Sequence, residues 1–269
     1  MSTTMPPTLP SARTTPVQPS APAAPAATPT ARDAVSWCAD PYADALRSGR
    51  GPLFLRRTDG WLLPLEVERW CAGADAADLS ALRRCEGTVL DIGCGPGRLV
   101  AALAAQGRRA LGIDVSEAAV ARTAAIGGAA LCRSVFDSLP GEGSWGTALL
   151  LDGNIGIGGD PSALLARTAE LVCRRGLLIV ETTPADVDER VQVRVANGHG
   201  VHREQGGLFS WARVGTPALL RYATAAGWAP VEQWTVADGV PTGEVGQLPA
   251  AGRCFVALRR RRGIPDSHG

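Results

Sequence analysis

Three glycines at alternate positions follow a short apolar segment that contains an acid. In VLDIGCGPGRL the acid is Asp91 and the glycines are Gly93, Gly95 and Gly97. Glycine has no Cβ, so this loop can turn tightly and let a ligand approach its backbone. The Ala- and Leu-rich segment from Arg98 onward predicts a helix whose free N–H groups and positive dipole end face the same space. The spacing therefore predicts a nucleotide-binding crevice at the carboxyl end of a sheet.

The residue three positions after the second glycine indicates which nucleotide fits. A dinucleotide-binding fingerprint has a third glycine there, whereas this chain has Arg98. Asp91 is unfavourable beside a pyrophosphate but favourable beside a ligand with a cationic amino-acid end. A second acid, Asp114, ends the segment ALGIDV and lies at about the distance expected for an acid that binds a ribose.

Together, DIGCGPG and ALGIDVS resemble the first two motifs of the class I S-adenosylmethionine (SAM)-dependent methyltransferases. The resemblance implies that the glycine loop, with Cys94 inside it, wraps the methionine part of SAM. It also implies that Asp114, followed by Val115, binds both ribose hydroxyls. The resemblance spans about residues 42–259, and the loop DGNIGIGGDP and the segment WARVG are similar to a bacterial subgroup whose acceptors are unassigned. Nicotinamide binding is the main alternative.

The segment RSVFDSLP follows the third predicted strand, where the family has an acid that binds the adenine amino group. Asp137 is the only acid in this stretch, and Ser134 occupies the position where the family's acid is more common. Three groups are therefore candidates for adenine: Asp137, Ser134, and the backbone N–H groups of Val135 and Phe136. The alternative for Asp137 is that it only caps the following turn.

The end of the fourth predicted strand, in LLLDGNIGIGGDP, supplies two further candidates. The resemblance implies that Asp152 touches the amino end of SAM and faces the acceptor. Asn154 is the one amide in the loop and is predicted to orient an acceptor. The loop is rich in glycine, which lets its backbone line the pocket closely. A mobile connection is the alternative interpretation of this loop.

An insertion at residues 184–214 interrupts the regular alternation of strands and helices. VQVRV and FSWARV predict two strands of a hairpin-like excursion over the acceptor pocket. Methyl transfer to oxygen or nitrogen often needs a base, and histidine has a suitable pKa. The candidate bases are His199 and His202, and the candidate substrate contacts are Trp211 and Arg213. Exposed turn histidines and simple packing of the other two residues are the alternatives.

Strands and helices alternate from residue 87 onward, which predicts a doubly wound α/β fold. Predicted strands cover 88–92, 110–115, 130–136, 147–151 and 177–181, and predicted helices cover 98–106, 116–126, 162–172 and 216–228. Two final strands, 231–236 and 253–261, have no helix between them. We therefore expect a seven-stranded sheet that is mostly parallel, with one antiparallel strand, as in class I methyltransferases.

Three regions of the chain differ in composition. Residues 1–33 are rich in Pro, Ala and Thr, which predicts a disordered tail without the apolar core of a secretory signal. Residues 34–86 are predicted to be mainly helical, with helices at 40–49 and 65–73. Their aromatic residues predict packing onto the sheet, and part of the segment is a candidate lid over the cleft. Residues 87–261 form the predicted SAM-binding domain.

Composition restricts the partners of the protein. The net charge is +1, which gives no reason to expect bulk attraction to nucleic acid or to a membrane surface. Seven cysteines without a CxxC pair favour a reducing cytoplasm and argue against a metal site. The oligomeric state cannot be inferred from the sequence.

The sequence therefore predicts a cytoplasmic SAM-dependent methyltransferase that acts on oxygen or nitrogen of a small molecule. The chain lacks an NPPY-type sequence, a Pro-Cys nucleophile and a carboxylate cluster, each of which is typical of a different methylation chemistry. The alternatives are a nicotinamide-dependent oxidoreductase and a SAM-binding regulator without catalysis.

Overall fold

The computed structural model describes residues 40–197, 207–237 and 252–261. In chain order the elements are α1 (Asp40–Ser48), β1 (Leu53–Arg57), β2 (Leu62–Leu65), α2 (Val67–Cys71), α3 (Ala76–Leu82), β3 (Val89–Ile92), α4 (Arg98–Ala105), β4 (Ala110–Asp114), α5 (Glu117–Ala125), β5 (Ala130–Cys132), β6 (Trp145–Leu150), α6 (Pro161–Leu171), β7 (Val172–Thr182), β8 (Asp188–Asn197), β9 (Phe209–Val214), α7 (Thr216–Ala225), β10 (Trp228–Val236) and β11 (Arg253–Arg260).

The larger of two sheets has the strand order β10-β11-β7-β6-β3-β4-β5. Strands β3 to β7 run parallel to one another, and β11 is antiparallel to both β7 and β10. The predicted seven-stranded, mostly parallel sheet is therefore confirmed. The pairing of β11 with β10 agrees with the prediction of two consecutive final strands, which pair antiparallel when they are neighbours in the sheet.

Alternate residues of the central strands belong to two separate cores. Val89 and Leu149 pack on one face of the larger sheet, whereas their neighbours Leu90 and Leu150 pack on the other. This period of two is the pleat of a strand that is buried on both faces, and it explains the continuous apolar runs in the sequence. The helices between the strands cover both faces, so the sheet exposes its carboxyl edge for binding.

Side-chain caps fix the starts of two helices of the larger domain. The Ser116 hydroxyl accepts from the N–H of Ala119 at the start of α5. The Asp160 carboxylate accepts from the N–H groups of Ser162 and Ala163 at the start of α6, where Pro161 occupies the first helical position. These caps satisfy N–H groups that have no partner within the helix.

The third predicted strand is shorter than expected. The prediction covers 130–136, but β5 ends at Cys132. Beyond it the chain turns, because the Asp137 carboxylate accepts from the N–H of Ser134 and the Ser134 hydroxyl accepts from the N–H of Phe136. These local bonds compete with the sheet ladder.

The prediction that residues 34–86 are mainly helical is wrong for part of the segment. Strands β1 and β2 form a hairpin around Asp59 and Gly60, and Leu53 and Leu55 of β1 are buried. Pro64, which directly precedes the predicted helix 65–73, lies in β2, an edge strand where its missing N–H costs no ladder bond. The predicted helix 65–73 is shorter in the structure, where α2 covers Val67–Cys71.

The smaller sheet contains both this hairpin and the insertion, in the order β2-β1-β8-β9. Its buried face forms a third core with α1 and α2, which includes Tyr42, Leu46, Val67, Val193 and Phe209. The insertion is thus a pair of antiparallel strands, as predicted, but it depends on the N-terminal hairpin to complete its sheet. In the described residues no helix is long and apolar enough to cross a membrane.

Candidate functional site

A cavity of about 490 Å³ lies where the carboxyl edge of the larger sheet faces the smaller sheet. One side, here the sheet wall, consists of the loops after β3, β4, β5 and β6 and includes Gly93, Cys94, Gly95, Pro96, Arg98, Asp114, Val115, Ser134, Val135, Phe136, Asp137, Asp152 and Asn154. The other side, here the aromatic wall, consists of Tyr42, Leu65, Trp70, Ile157, Phe209 and Trp211. This volume is in the range of small-molecule sites.

The three glycines of the loop after β3 all have positive φ but serve different purposes. A Cβ at Gly93 would lie 2.7 Å from Nδ2 of Asn154, and one at Gly97 would lie 2.4 Å from Oγ1 of Thr123. A Cβ at Gly95 would instead project beside the Tyr42 hydroxyl, 3.7 Å away. Gly93 and Gly97 are therefore required for packing, whereas Gly95 keeps space open for a ligand against the backbone.

Asp114 is held at the end of β4 by backbone groups. Its carboxylate accepts from the N–H of Gly95 at 2.9 Å and from the N–H of Ser116 at 2.9 Å. Burial raises the pKa of Asp114, and these backbone hydrogen bonds oppose that rise. The acid is thus fixed in orientation at the cavity, where a carboxylate is a strong acceptor for hydroxyl groups.

Asp91 lies beneath the glycine loop and does not line the cavity. It is 1% exposed, and its Oδ2 is buried without a hydrogen-bond partner. Burial raises the pKa of Asp91 to about 7, although the charge of Arg98 acts in the opposite direction. The structure therefore separates Asp91 from the other cofactor-binding candidates.

Arg98 is at the centre of a buried charge network that sequence reasoning did not find. Its side chain is 3% exposed; Nε and Nη2 donate to Asp78 at 2.7 and 2.9 Å, and Nη1 donates to Asp152 at 2.8 Å. The sequence analysis used this arginine only to argue against a dinucleotide. Its partner Asp78 lies 20 positions earlier in the chain, and nothing in the local sequence marks that pairing.

Asp152 lines the cavity together with Arg98. It has a φ of 55°, and its N–H donates to Glu181 at 2.9 Å. Arg69, from α2, donates to its carboxylate at 2.7 Å. Burial would raise the pKa of Asp152, but the charges of Arg98 and Arg69 lower it to about 2. It is therefore a fixed, ionised carboxylate whose two oxygens accept from Arg98 and Arg69, and it is not a base that titrates near neutral pH.

Asn154 contacts the glycine loop. Its Nδ2 donates to the carbonyl oxygens of Ile92 and Gly93, both at 2.9 Å. The amide nitrogen predicted to orient an acceptor thus ties the loop after β6 to the loop after β3. The glycines of this loop also pack closely, since a Cβ at Gly156 would lie 2.2 Å from the carbonyl oxygen of Ala212 in β9.

The four adenine candidates all line the cavity. Asp137 Oδ2 accepts from the N–H of Ser134 at 3.0 Å, so its carboxylate closes the turn that precedes it, whereas the alternative in the sequence analysis was a cap of the following turn. The Ser134 hydroxyl accepts from the N–H of Phe136 at 3.2 Å, and the carbonyl of Val135 accepts from Arg167. These bonds hold the turn in one shape against the cavity.

The two substrate candidates are in different places. Trp211 is 7% exposed, lines the cavity and packs edge-on against Phe209, with ring centroids 6.3 Å apart. Arg213 does not line it: it donates to Glu189 and lies over the ring of Trp61. His199 and His202 lie outside the described residues.

Sequence reasoning missed Tyr42 and Trp70 as individual members of the aromatic wall. The aromatic content of residues 34–86 was a signal for this segment as a whole, but only the fold shows which rings reach the cavity. Among the described residues no three His, Cys, Asp or Glu side chains are arranged to hold a metal ion.

Comparisons with known proteins agree with this architecture. Residues 89–144, which contain the glycine loop and Asp114, match a family model described as a methyltransferase domain. A crystal structure of a SAM-dependent methyltransferase from Bacteroides fragilis, in complex with S-adenosyl-L-homocysteine, superposes with a TM-score of 0.63. The similarity covers 87% of this chain and 98% of that one, at 16% identity.

The chain has the class I methyltransferase fold. A second structure, of a SAM-dependent methyltransferase from Methanosarcina mazei, matches with a TM-score of 0.51 and 13% identity over 71% of this chain and 99% of that one. No curated protein sequence matches the chain. The predicted fold is therefore confirmed, and residues 89–144 match a methyltransferase domain.

Proposed function

We propose that the protein transfers a methyl group from SAM to oxygen or nitrogen of a small-molecule acceptor. The observation that carries this proposal is the division of one cavity into a polar sheet wall and an aromatic wall. The first offers fixed carboxylates and an open glycine loop, and the second offers an apolar surface for a different molecule. The methyltransferase domain at residues 89–144 and the SAM-dependent relatives of the same fold support it.

The sheet wall fits SAM. In the proposal Asp114 binds the ribose hydroxyls, and the backbone at Gly95, where a Cβ would occupy the cavity, lies against the ligand. Asp152 attracts the cationic amino end, and the turn from Ser134 to Asp137 lies beside adenine. Asp91 does not line the cavity, so it would affect the bound ligand only through the glycine loop above it. Bound SAM supplies a methyl group that is already activated by the positive charge on sulfur.

The residues of this chain would then contribute mainly by orientation. In-line transfer requires the acceptor atom about 3 Å from the methyl carbon, and holding two molecules in that geometry supplies most of the rate enhancement. Tyr42, Trp70 and Trp211 exclude water from the acceptor side and offer ring faces that favour a cation. Burial raises the pKa of Tyr42, so its hydroxyl stays protonated and is not a base.

The charged residues nearest the reaction do not supply a general base, because Asp152 is held ionised by two arginines. Proton removal from the acceptor is therefore assigned to water or to His199 or His202, the sequence-based candidates. We keep a cytoplasmic location as part of the proposal, and the six described cysteines, all free, are consistent with it.

Calorimetric titration with S-adenosylhomocysteine tests the donor half of the proposal. Asp114→Asn should weaken binding about 100-fold, since two charge-assisted hydrogen bonds are each worth about 1.5 kcal/mol or more. Asp59→Asn, an exposed acid in the hairpin turn, is the matched control and should bind as the native protein does. Preferential binding of NADH would overturn the proposal in favour of an oxidoreductase.

Transfer of labelled methyl from SAM to a panel of hydroxyl and amine acceptors tests the second half. Methylation of any acceptor in the panel would support the proposed methyltransferase activity. Tight binding of S-adenosylhomocysteine without turnover across the panel would favour the regulator without catalysis.

A further inference from the structure

The aromatic wall of the main cavity forms a corner rather than a flat plate. The rings of Phe209 and Trp211 both line the cavity, and their planes are 89° apart. Both side chains are buried in the core of the smaller sheet, which holds them at this angle. A flat molecule cannot stack on two perpendicular rings at once, so the corner suits a compact group, such as a nitrogen with alkyl substituents.

Two further rings of this wall come from the N-terminal segment. Tyr42 of α1 and Trp70 of α2 line the same cavity. The indole N–H of Trp70 is buried and has no hydrogen-bond partner in the described part of the chain, so the ring contributes apolar and π surface to the wall. The faces of aromatic rings carry partial negative charge and attract a cation within about 6 Å.

The sheet wall adds negative charge that reaches the aromatic wall. Burial raises the pKa of Tyr42 well above its ordinary value, and the charges of Asp114 and Asp152 raise it further. The field that opposes a negative charge on this hydroxyl favours a positive charge beside it. Among the described residues that line the cavity, the cations Arg98 and Arg133 belong to the sheet wall. The aromatic wall is therefore a favourable environment for a cation.

The charge balance of methyl transfer distinguishes the two classes of acceptor in the proposed function. When a neutral amine attacks, its lone pair forms the N–C bond, the S–C bond breaks, and the electron pair of that bond stays on sulfur. The positive charge thus moves from sulfur to nitrogen, and an ammonium proton leaves to water only afterwards. A hydroxyl acceptor instead gives up its proton to a base, so no cation remains beside the wall. Rings that stabilise a cation therefore accelerate transfer to an amine and not to a hydroxyl group.

We propose that the methyl acceptor is an amine whose nitrogen lies in the corner of the aromatic wall. In this arrangement Phe209 and Trp211 enclose the nitrogen and its substituents, and Trp70 adds a third ring. The inference rests on the proposed function and narrows the acceptor atom from oxygen or nitrogen to nitrogen. It identifies Trp70 as a residue that determines acceptor specificity through its ring.

The test uses two probes of equal shape, choline and 3,3-dimethylbutan-1-ol, in which a charged trimethylammonium group replaces an uncharged tert-butyl group. Each is titrated calorimetrically against the full-length protein saturated with S-adenosylhomocysteine, whose sulfur is uncharged as it is after transfer. We expect choline to bind about tenfold more tightly than the alcohol, as cation–π contacts in a desolvated site allow.

Two variants of the same residue show whether the ring is responsible. Trp70→Leu removes the ring and should reduce the preference for choline to about threefold or less. Trp70→Phe is the matched control, since it keeps a ring at this position and should retain most of the preference. Binding of S-adenosylhomocysteine by each variant, measured first, shows that it folds.

Equal affinity for the two probes, tighter binding of the alcohol, no binding of choline, or an unchanged preference in Trp70→Leu would overturn the inference. Transfer of labelled methyl from SAM to 2-naphthylmethanol but not to 2-naphthylmethylamine, at a pH where the amine is largely neutral, would also overturn it. If S-adenosylhomocysteine itself fails to bind, the proposed function fails instead, and the donor titration identifies that case before either probe is added.

Discussion

The two walls of the main cavity are held in place by different forces. The sheet wall depends on directed polar contacts: Arg98 between two carboxylates, and Asp114 and Asn154 on backbone groups of the glycine loop. The aromatic wall depends on apolar packing, in which Trp211 and Phe209 belong to the core of the smaller sheet. Polar contacts fix exact positions, whereas apolar packing tolerates changes of shape. Under the proposed function, the rigid sheet wall would bind the constant donor and the adaptable aromatic wall would bind the acceptor.

The largest expected loss of stability comes from a substitution that breaks the charge network of the sheet wall. Arg98→Met would remove the central cation of the network and leave Asp78 paired with Arg253 and Asp152 paired with Arg69. Breaking buried ion pairs in this way costs up to about 3–5 kcal/mol of unfolding free energy. Urea unfolding followed by circular dichroism measures it. Arg47→Met removes an exposed pair with Asp44 and should change stability by less than about 1 kcal/mol. Similar losses in both variants would show that the network does not organise this wall.

The next effect concerns the acid beneath the glycine loop. Because the pKa of Asp91 is raised to about 7 from an ordinary value near 4, the folded protein binds a proton that the unfolded chain has released. Its contribution to stability is complete below about pH 4 and is lost as the pH rises towards about 7. Asp91→Asn should remove this decline, which amounts to a few kcal/mol.

Urea unfolding of both proteins at several pH values across this window provides the measurement. Asp152 contributes with the opposite sign and at lower pH, since its lowered pKa of about 2 gives stability that is lost only on acidification. If the unfolding free energy of the native protein does not fall between about pH 4 and pH 7, Asp91 is ionised throughout this range and the prediction is wrong.

A substitution in the aromatic wall should lower the stability of the protein without changing its affinity for the donor. Trp211→Leu removes apolar contact area in the core of the smaller sheet and should cost about 1–3 kcal/mol of unfolding free energy. Affinity for S-adenosylhomocysteine should stay within about twofold of the native value, because the sheet wall depends on separate contacts. A large loss of donor affinity in calorimetry would mean that the two walls are not independent.

The smallest effect distinguishes the two roles of Asp137. Asp137→Ala removes the acceptor for the N–H of Ser134 and should cost about 1 kcal/mol of stability. If Asp137 only caps the turn, S-adenosylhomocysteine should bind a few-fold more weakly, through loosening of the turn. A loss as large as that in Asp114→Asn would instead assign the adenine contact to its carboxylate.

Sequence patterns were most informative where function depends on contiguous residues. The glycine loop, Asp114 and the turn from Ser134 to Asp137 each occupy a few adjacent positions at the end of a strand, and all of them lie on the sheet wall. The sequence was less informative about candidates whose contacts are distant in the chain. Arg213 lies away from the cavity, and Asn154 binds the glycine loop.

The sequence by itself determined the larger sheet, because buried parallel strands, helix caps and glycine turns are specified by residues that are close together in the chain. Only the tertiary structure decided the aromatic wall. The hairpin of β1 and β2 and the strands β8 and β9 complete one sheet across more than 120 residues, as the pairing of Leu55 with Val195 shows. Edge pairing and buried ion pairs depend on which segments meet after folding, and a local pattern does not encode that choice.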